Sequence, residues 1–133
     1  MTAKGQCHCG AIRYEVSGEP AYHALCHCTD CRRSSGAPVV AWALFPESAV
    51  AVTGEPTIRA SSEDARRHFC PQCGCGLFYT NAVTFPGMID VQTATLDDPD
   101  AFPLQLHVQT AERVGWMENA HELPQFERYP AEE

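Results

Sequence analysis

The spacing of the eight cysteines is the feature that most constrains the fold of this chain. Three of them, Cys26, Cys28 and Cys31, lie within six residues. Three thiolates are one fewer than the four ligands that close a structural zinc site, so a metal held by this three-cysteine cluster keeps one position open. Water or a substrate atom can bind at such a position. We therefore expect the rest of the chain to hold this cluster in place.

Two further cysteine pairs can complete a second, closed site. Cys7 and Cys9 form a Cys-x-Cys pair, and Cys70 and Cys73 form a Cys-x-x-Cys pair that Gly74 follows. Two cysteines around a tight turn aim both sulfurs at one metal, and the simplest tetrahedral arrangement joins the two pairs. Because such a site contributes folding energy directly, we predict that this four-cysteine cluster is a structural site.

The remaining cysteine leaves alternatives open. Either Cys75, His27 or another residue supplies a fourth ligand to the three-cysteine cluster, or that position stays open to solvent and substrate. Cys75 can equally be a small buried thiol or a redox partner of Cys73. His27 lies between two ligand cysteines, where its ring would point away from the sulfurs, so we expect it to support the site rather than to ligate the metal.

Length and composition bound the compartment and the number of domains. The chain has 133 residues and fits one domain, 1–133. Residues 1–6 carry no apolar signal region, and no apolar run approaches the roughly 20 residues that span a bilayer. We therefore expect a cytoplasmic protein without membrane contact. In that reducing compartment, closely spaced cysteines are metal ligands or redox thiols rather than disulfides.

The charge balance argues against a nucleic-acid partner. The net charge is -8, because 17 acidic residues oppose 9 Lys and Arg residues, and phosphate binding needs a basic face. The exception is local, since Arg32 and Arg33 follow the three-cysteine cluster and Arg66 and Arg67 precede Cys70. These arginines either balance the charge of metal-bound thiolates or also attract a small anionic substrate.

Hydrophobic patterning predicts a mainly β fold. Residues 12–16 alternate apolar and polar side chains as a half-buried strand does, and the continuous apolar run 39–45 suits a buried strand. Residues 61–67 are polar and predict a solvated loop, whereas residues 111–118 predict one or two helical turns. The other predicted strands are residues 21–25, 50–53, 57–60, 77–80, 88–95 and 104–109.

Residues 5–14, 26–33, 67–74 and 123–126, with His107 and Trp116, together resemble the glutathione-dependent formaldehyde-activating enzyme family, which includes centromere protein V. The resemblance covers nearly the whole chain in the right order. It implies a β-tent fold, in which antiparallel sheets are pinned by zinc. It also implies two zinc ions, a structural one on the four-cysteine cluster and a functional one on the three-cysteine cluster.

The named activity of this family is the addition of glutathione to formaldehyde, which is classed as a carbon-sulfur lyase reaction. The resemblance therefore implies a zinc-dependent lyase in which Cys26, Cys28 and Cys31 hold the metal against a small thiol and an aldehyde. Arg32 or Arg33 is expected either to hold a carboxylate of a glutathione-like ligand or to help fold the cysteine loop.

Two other functions remain open from the sequence. If Cys75 closes the second site, the chain is a non-enzymatic structural or interaction module with two zinc ions. If Cys73 and Cys75 form a disulfide, it is a redox protein. Trp116 and Phe126 are expected to line a pocket wall or to pack in the core.

Overall fold

The computed structural model describes residues 1–130, which form two β-sheets and one short α-helix. The last three residues of the predicted domain, 131–133, lie outside the described residues. The helix is α1 (Thr29–Ser35). The strands are β1 (Thr2–Gln6), β2 (Arg13–Ser17), β3 (Tyr22–Cys26), β4 (Val40–Pro46), β5 (Val50–Thr53), β6 (Thr57–Ala60), β7 (Ala65–Phe69), β8 (Gly76–Asn81), β9 (Met88–Gln92) and β10 (Leu106–Val108). The predicted mainly β fold is thereby confirmed.

The strands are shared between a small and a large sheet. Strands β1, β2 and β5 form the small sheet, and the large sheet has the order β10-β3-β4-β9-β8-β7-β6. Neighbouring strands are antiparallel, as expected, with the exception of β10, which runs parallel to β3. A parallel neighbour needs a long return connection. The chain between β9 and β10 forms the last part of the connection from β3 to β10.

Strand β4 contributes side chains to the main core on one face of the large sheet and to the surroundings of the three-cysteine cluster on the other. Its successive side chains point to opposite faces. Ala43 and Phe45 join the main hydrophobic core, whereas Val40 and Trp42 pack against the three-cysteine cluster on the other face. Because both faces are covered, the apolar run 39–45 is confirmed as a buried strand.

The prediction of a solvated loop over residues 61–67 is wrong in its second half. Strand β7 begins at Ala65 and pairs with both β6 and β8. Arg67 lies on this strand and is only 8% exposed. The segment is so polar that the alternation of buried and partly exposed side chains on β7 is not visible in the sequence. A charged side chain is expected to be exposed to water unless it is paired with an opposite charge. Arg67 has such a partner in Asp30 of α1.

Helix α1 is too short to show helical periodicity in the sequence, since it has seven residues. Cys28 caps its first turn, because the Cys28 Sγ accepts a hydrogen bond of 3.2 Å from the Cys31 N–H. Gly36 ends it with φ 73, a left-handed conformation that glycine adopts without strain. Within residues 1–130, no helix combines the length and the apolar character that crossing a membrane requires.

The helical turns predicted over residues 111–118 occur as two short 3-10 turns, Thr110–Glu112 and Gly115–Met117. The aromatic side chains in this part of the chain do not behave as expected. Trp116 is 63% exposed and Phe126 is 56% exposed, so neither packs in the core. Neither residue lines the two cavities beside the cysteines.

Gly5 marks a close approach between β1 and its neighbours. A Cβ at this position would overlap the Tyr14 ring and lie 2.7 Å from the Thr95 carbonyl oxygen. The ring cannot move freely, because the Tyr14 hydroxyl is hydrogen-bonded to the Thr95 Oγ1 at 2.6 Å.

Gly5→Ala is therefore expected to lower the free energy of unfolding by about 1–3 kcal/mol, measured by urea denaturation. Gly115→Ala is the control, since an added Cβ there has nothing within 4 Å; equal losses in both variants would contradict the steric argument.

Candidate metal centres

The four-cysteine cluster is assembled from two distant chain segments. The sulfurs of Cys7, Cys9, Cys70 and Cys73 all lie within 4.8 Å of one another. Backbone N–H groups point at two of these sulfurs: the N–H of Ile12 donates to the Cys7 Sγ at 3.3 Å, and that of Cys73 donates to the Cys70 Sγ at 3.4 Å. Such hydrogen bonds favour the thiolate form that binds metal. The structure thus brings together the four cysteines that the sequence pairs.

The three-cysteine cluster forms where a strand turns into a helix. Cys26 ends β3, Cys28 caps α1, and Cys31 lies in the first turn of that helix. The three sulfurs lie within 4.8 Å of one another, and those of Cys26 and Cys31 are 3.6 Å apart. Because the strand end, the cap and the first turn converge, three residues close in sequence can face one ion.

The electrostatics of the cluster favour a cation. The hydrogen bond between the sulfurs of Cys26 and Cys31 is the main cause that lowers the pKa of Cys31 to about 5, and contacts with Cys28 and Arg67 act in the same direction. The same hydrogen bond, together with burial, raises the pKa of Cys26. These contacts favour the thiolate form of Cys31, and a thiolate is the form of cysteine that ligates metals.

Arg67 is the arginine that contacts this cluster. Its guanidinium donates to the Asp30 Oδ2 at 2.6 Å and to the Cys31 Sγ at 3.6 Å. Its Cζ also lies 5.1 Å from the centre of the Tyr79 ring, within the range of a cation-π contact. These contacts place one positive charge against the thiolate side of the cluster.

Arg32 and Arg33 are the arginines that the sequence favours for the site, but their side chains are placed differently from that of Arg67. Arg32 donates to the Thr29 Oγ1 at 3.2 Å, one turn back along α1, and Arg33 is exposed. Within residues 1–130, the hydrogen bond to a cluster sulfur from an arginine comes from Arg67. Its position three residues before Cys70 is visible in the sequence, but its approach to Cys31 depends on the pairing of β7 in the sheet.

A cavity of about 170 Å³ opens beside the three-cysteine cluster, and all three cysteines line it. Its floor is the face of the large sheet. One row of cross-strand neighbours in β3, β4, β9, β8 and β7 consists of Tyr22, Leu44, Asp90, Tyr79 and Arg67. Four members of this row, all except the leucine, line the cavity. The sheet register therefore places polar groups beside the sulfurs.

Asp90 is the residue of this row that sequence reasoning misses. It is 6% exposed, and its burial is the main cause that raises the pKa of its carboxyl to about 7, with the charge of Cys31 as a second cause. The sequence shows only an alternating strand over residues 88–95. Because Asp90 lies between the core residues Ile89 and Val91, the pattern is that of a half-buried strand and gives no signal that the carboxyl is buried.

A second cavity of about 520 Å³ adjoins the first, and Trp42 and Arg67 line both. Arg59, His68 and Cys75 also line this larger cavity. Cys75 belongs to neither cysteine cluster, and its Sγ lies 3.5 Å from the Gly76 carbonyl oxygen. The structure therefore does not bring Cys75 to the three-cysteine cluster as a fourth ligand.

His27 points away from the cluster sulfurs, as expected. Its Nε2 lies 2.9 Å from the His107 Nδ1, and the two rings stack with centres 5.1 Å apart. The backbone N–H of Thr29 donates to the Glu112 Oε1 at 2.9 Å. The chain around β10 thereby fixes the loop that carries the cluster.

The fold and the two clusters define a small β-sheet protein with one four-sulfur and one three-sulfur candidate metal site. Residues 2–112 match the family model described as glutathione-dependent formaldehyde-activating enzyme. The chain therefore belongs to this family. Membership supports an enzyme of the lyase type, and the cysteine clusters are compatible with metal binding.

Similar proteins agree with this assignment. A protein of Halomonas elongata, whose name assigns it provisionally to the glutathione-dependent formaldehyde-activating enzymes, is 26% identical in an alignment that covers 89% of this chain and 81% of that protein. An uncharacterized lyase of Schizosaccharomyces pombe is 29% identical over 74% of this chain and 82% of its own length. The crystal structure of a Rhodobacter sphaeroides protein superposes with a TM-score of 0.60 at 26% identity, covering 79% of this chain and 99% of that chain.

Proposed function

We propose that this protein is a zinc-dependent carbon-sulfur lyase that adds a small, glutathione-like thiol to an aldehyde carbon and removes it again. Residues 1–133 act as a single domain, with a structural zinc in the four-cysteine cluster and a functional zinc in the three-cysteine cluster. The proposed compartment is the cytoplasm, because closely spaced cysteines in a reducing environment serve as metal ligands rather than as disulfides.

The contrast between the two clusters is the observation that supports this proposal. Four sulfurs within 4.8 Å complete the tetrahedron that zinc prefers, whereas the other group contains three sulfurs and faces a cavity. Sulfur ligands suit zinc, so both donor sets fit the ion. An open coordination position beside a cavity distinguishes a catalytic zinc site from a structural one.

Zinc in the three-cysteine cluster would supply a Lewis acid that lowers the pKa of a substrate thiol. The protein supplies the surroundings of that thiol. Arg67 places a positive charge beside Cys31 and so limits the negative charge that three thiolates accumulate. Tyr22, Tyr79 and Asp90 provide polar groups around the space where the aldehyde would lie.

The volumes of the two cavities support a thiol substrate that extends from the cavity at the sulfurs into the adjoining one. A volume of about 170 Å³ is smaller than the roughly 300–1,000 Å³ of typical ligand sites, whereas the adjoining 520 Å³ falls within that range. A tripeptide thiol could place its sulfur at the cluster and its remaining length in the larger cavity. Arg59, which lines the larger cavity, is suited to a carboxylate, a role that the sequence left open for Arg32 or Arg33.

Replacement of zinc by cobalt provides the test, because sulfur-to-metal absorption bands report a change in ligands. Addition of glutathione is expected to change these bands in the intact chain, with one of the two metals responding. Addition of formaldehyde together with glutathione is then expected to accelerate formation of the thiol-aldehyde adduct over the uncatalysed rate. Bands that do not respond to glutathione would reject glutathione as the substrate.

Cys75→Ser is the matched variant for this experiment, because it removes a thiol near the cavities that belongs to neither cluster. The cobalt bands and their response to glutathione are expected to be the same in this variant as in the intact chain. A response that occurs only in Cys75→Ser would mean that Cys75 closes the second site. The two-zinc structural module would then be the better account.

A further inference from the structure

Asp90 occupies an unusual place for a carboxyl group. It lies in the middle of β9, which is paired on both sides, with Leu44 of β4 and Tyr79 of β8 as its direct neighbours. Ile89 and Val91 point into the main core, so Asp90 points to the opposite face of the sheet, where the cavity lies. The side chain therefore projects from a strand that has hydrogen-bonded neighbours on both sides.

The carboxyl of Asp90 lacks a partner on one oxygen. Within the described residues, its Oδ1 is buried and makes no hydrogen bond. The basic group nearest in the same row, Arg67, forms its ion pair with Asp30 instead. Buried polar atoms without a partner are rare in proteins and call for an explanation such as a catalytic role.

Asp90 does not belong to the metal-binding group. The ligand atoms of that group lie within 4.8 Å of one another and come from three cysteines alone. Asp90 nevertheless lines the cavity into which these sulfurs open. The groups that face this cavity with it are Tyr22 and Cys26 from β3, Cys28, Asp30 and Cys31 from the start of α1, Tyr79 from β8 and Arg67 from β7. Asp90 therefore lines the cavity beside the sulfurs and carries an oxygen that no group of the described residues satisfies.

We propose that Asp90 is a catalytic residue that hydrogen-bonds the oxygen of the aldehyde and gives that oxygen its proton as the carbon-sulfur bond forms. This inference rests on the proposed function. In the direction of addition, the sulfur electron pair forms the bond to carbon and the second carbon-oxygen bond breaks towards oxygen. The oxygen takes the proton of the Asp90 carboxyl, and the proton released by the thiol restores that carboxyl. Cleavage of the adduct follows the same path in reverse, and no oxidant or reductant is needed.

The burial of Asp90 suits it to this step. A proton donor and acceptor works best when its pKa lies near the working pH. Burial is the main cause that raises the pKa of this carboxyl, and it favours the protonated form relative to that of an exposed aspartate. An ordinary exposed aspartate would be almost fully ionised and could not donate.

The test compares Asp90→Asn with Asp97→Asn, which alters an exposed aspartate outside the cavity. Asparagine keeps the size of the side chain and loses the transferable proton. In Asp90→Asn, kcat for adduct formation is expected to fall about 100-fold or more, since general acid-base catalysis typically contributes about 10²–10⁴-fold. Metal content and the cobalt response to glutathione are expected to be unchanged, and Asp97→Asn is expected to match the unmodified protein in every measurement.

A binding measurement provides a readout besides activity. The unmodified protein is expected to bind the glutathione-formaldehyde adduct more tightly than glutathione, because only the adduct offers a hydroxyl to Asp90. A hydrogen bond to a carboxyl of this kind is expected to give roughly a tenfold preference for the adduct. Asp90→Asn should reduce this preference, whereas its affinity for glutathione should stay the same. If Asp90→Asn does not fold, which thermal denaturation will show, Asp90→Ser provides the same comparison with a smaller polar side chain.

The outcomes separate this inference from the proposed function. A folded Asp90 variant that keeps both the kcat and the adduct preference of the unmodified protein would overturn the role of Asp90 and leave the lyase function standing. An unmodified protein whose cobalt bands do not respond to glutathione, and which does not accelerate adduct formation, would overturn both proposals.

Discussion

Cys70→Ser is expected to lose the fold of the whole chain, not only one metal ion. Cys70 is completely buried, and its cluster joins the turn before β2 to the turn between β7 and β8. Structural zinc in small peptides contributes apparent binding free energies of about 10–16 kcal/mol at pH 7. Entire domains are stable by only about 5–15 kcal/mol. The loss of this site is therefore comparable to the whole stability of a typical domain, or larger.

The measurement for Cys70→Ser combines metal analysis with thermal denaturation. The unmodified protein is expected to hold two zinc ions per chain and to unfold in one cooperative transition. The variant is expected to be insoluble or to lack that transition, and chelation of zinc from the unmodified protein should give the same state. Cys75→Ser is the matched control, because its thiol lies beside the same turn and outside the cluster. A stable Cys70→Ser variant that holds less zinc would reject the structural role of the four-cysteine cluster.

Arg67→Met is expected to leave the fold in place and to weaken the functional site by about 10–100-fold in metal affinity or activity, the usual effect of removing a group that supports metal ligands. Methionine fills much of the space of the arginine stem but carries no charge. Loss of the arginine charge affects the two partners of Arg67 differently. The Asp30 side chain is 61% exposed and can be hydrated, whereas Cys31 is buried and its thiolate is left without the positive charge.

Metal affinity in Arg67→Met can be measured by competition with a chromophoric chelator, and activity by adduct formation. Arg66→Met is the matched control on the same strand. Arg66 donates its hydrogen bonds to backbone carbonyls of Ser62, Glu63 and Ala65, away from the cluster, so a small effect is expected. If Arg33→Met or Arg32→Met reduces metal affinity more than Arg67→Met does, Arg67 is not the arginine that supports the metal ligands.

The candidate metal ligands are the part of the site that sequence reasoning reached most fully. Cys26, Cys28 and Cys31 are so close in sequence that short-range geometry alone limits where their sulfurs can lie. The pairing of Cys7 and Cys9 with Cys70 and Cys73 spans a long stretch of chain, but the number of ligands that zinc requires left few arrangements. Both groups lie together in the structure.

The surroundings of the cluster could not be obtained in this way. Arg67 stood in a segment whose polar composition favoured a loop, and Arg32 and Arg33 were preferred because they adjoin the cluster in sequence. Asp90 stood in a strand whose alternation was visible, but alternation does not say what covers each face. Each of these side chains reaches the cavity through pairing across β3, β4, β9, β8 and β7, which is set by long-range register.

The sequence by itself determined the cysteine clusters, most of the strands and the family resemblance, because each depends on residue type and on spacing within a few positions. Only the tertiary structure decided that Arg67 and Asp90 flank the three-cysteine cluster and that Cys75 does not join it. The physical reason is that strand register and the packing of α1 on the sheet bring together residues far apart in the chain. Neither the charge of a residue nor its nearness in sequence to a ligand specifies that register.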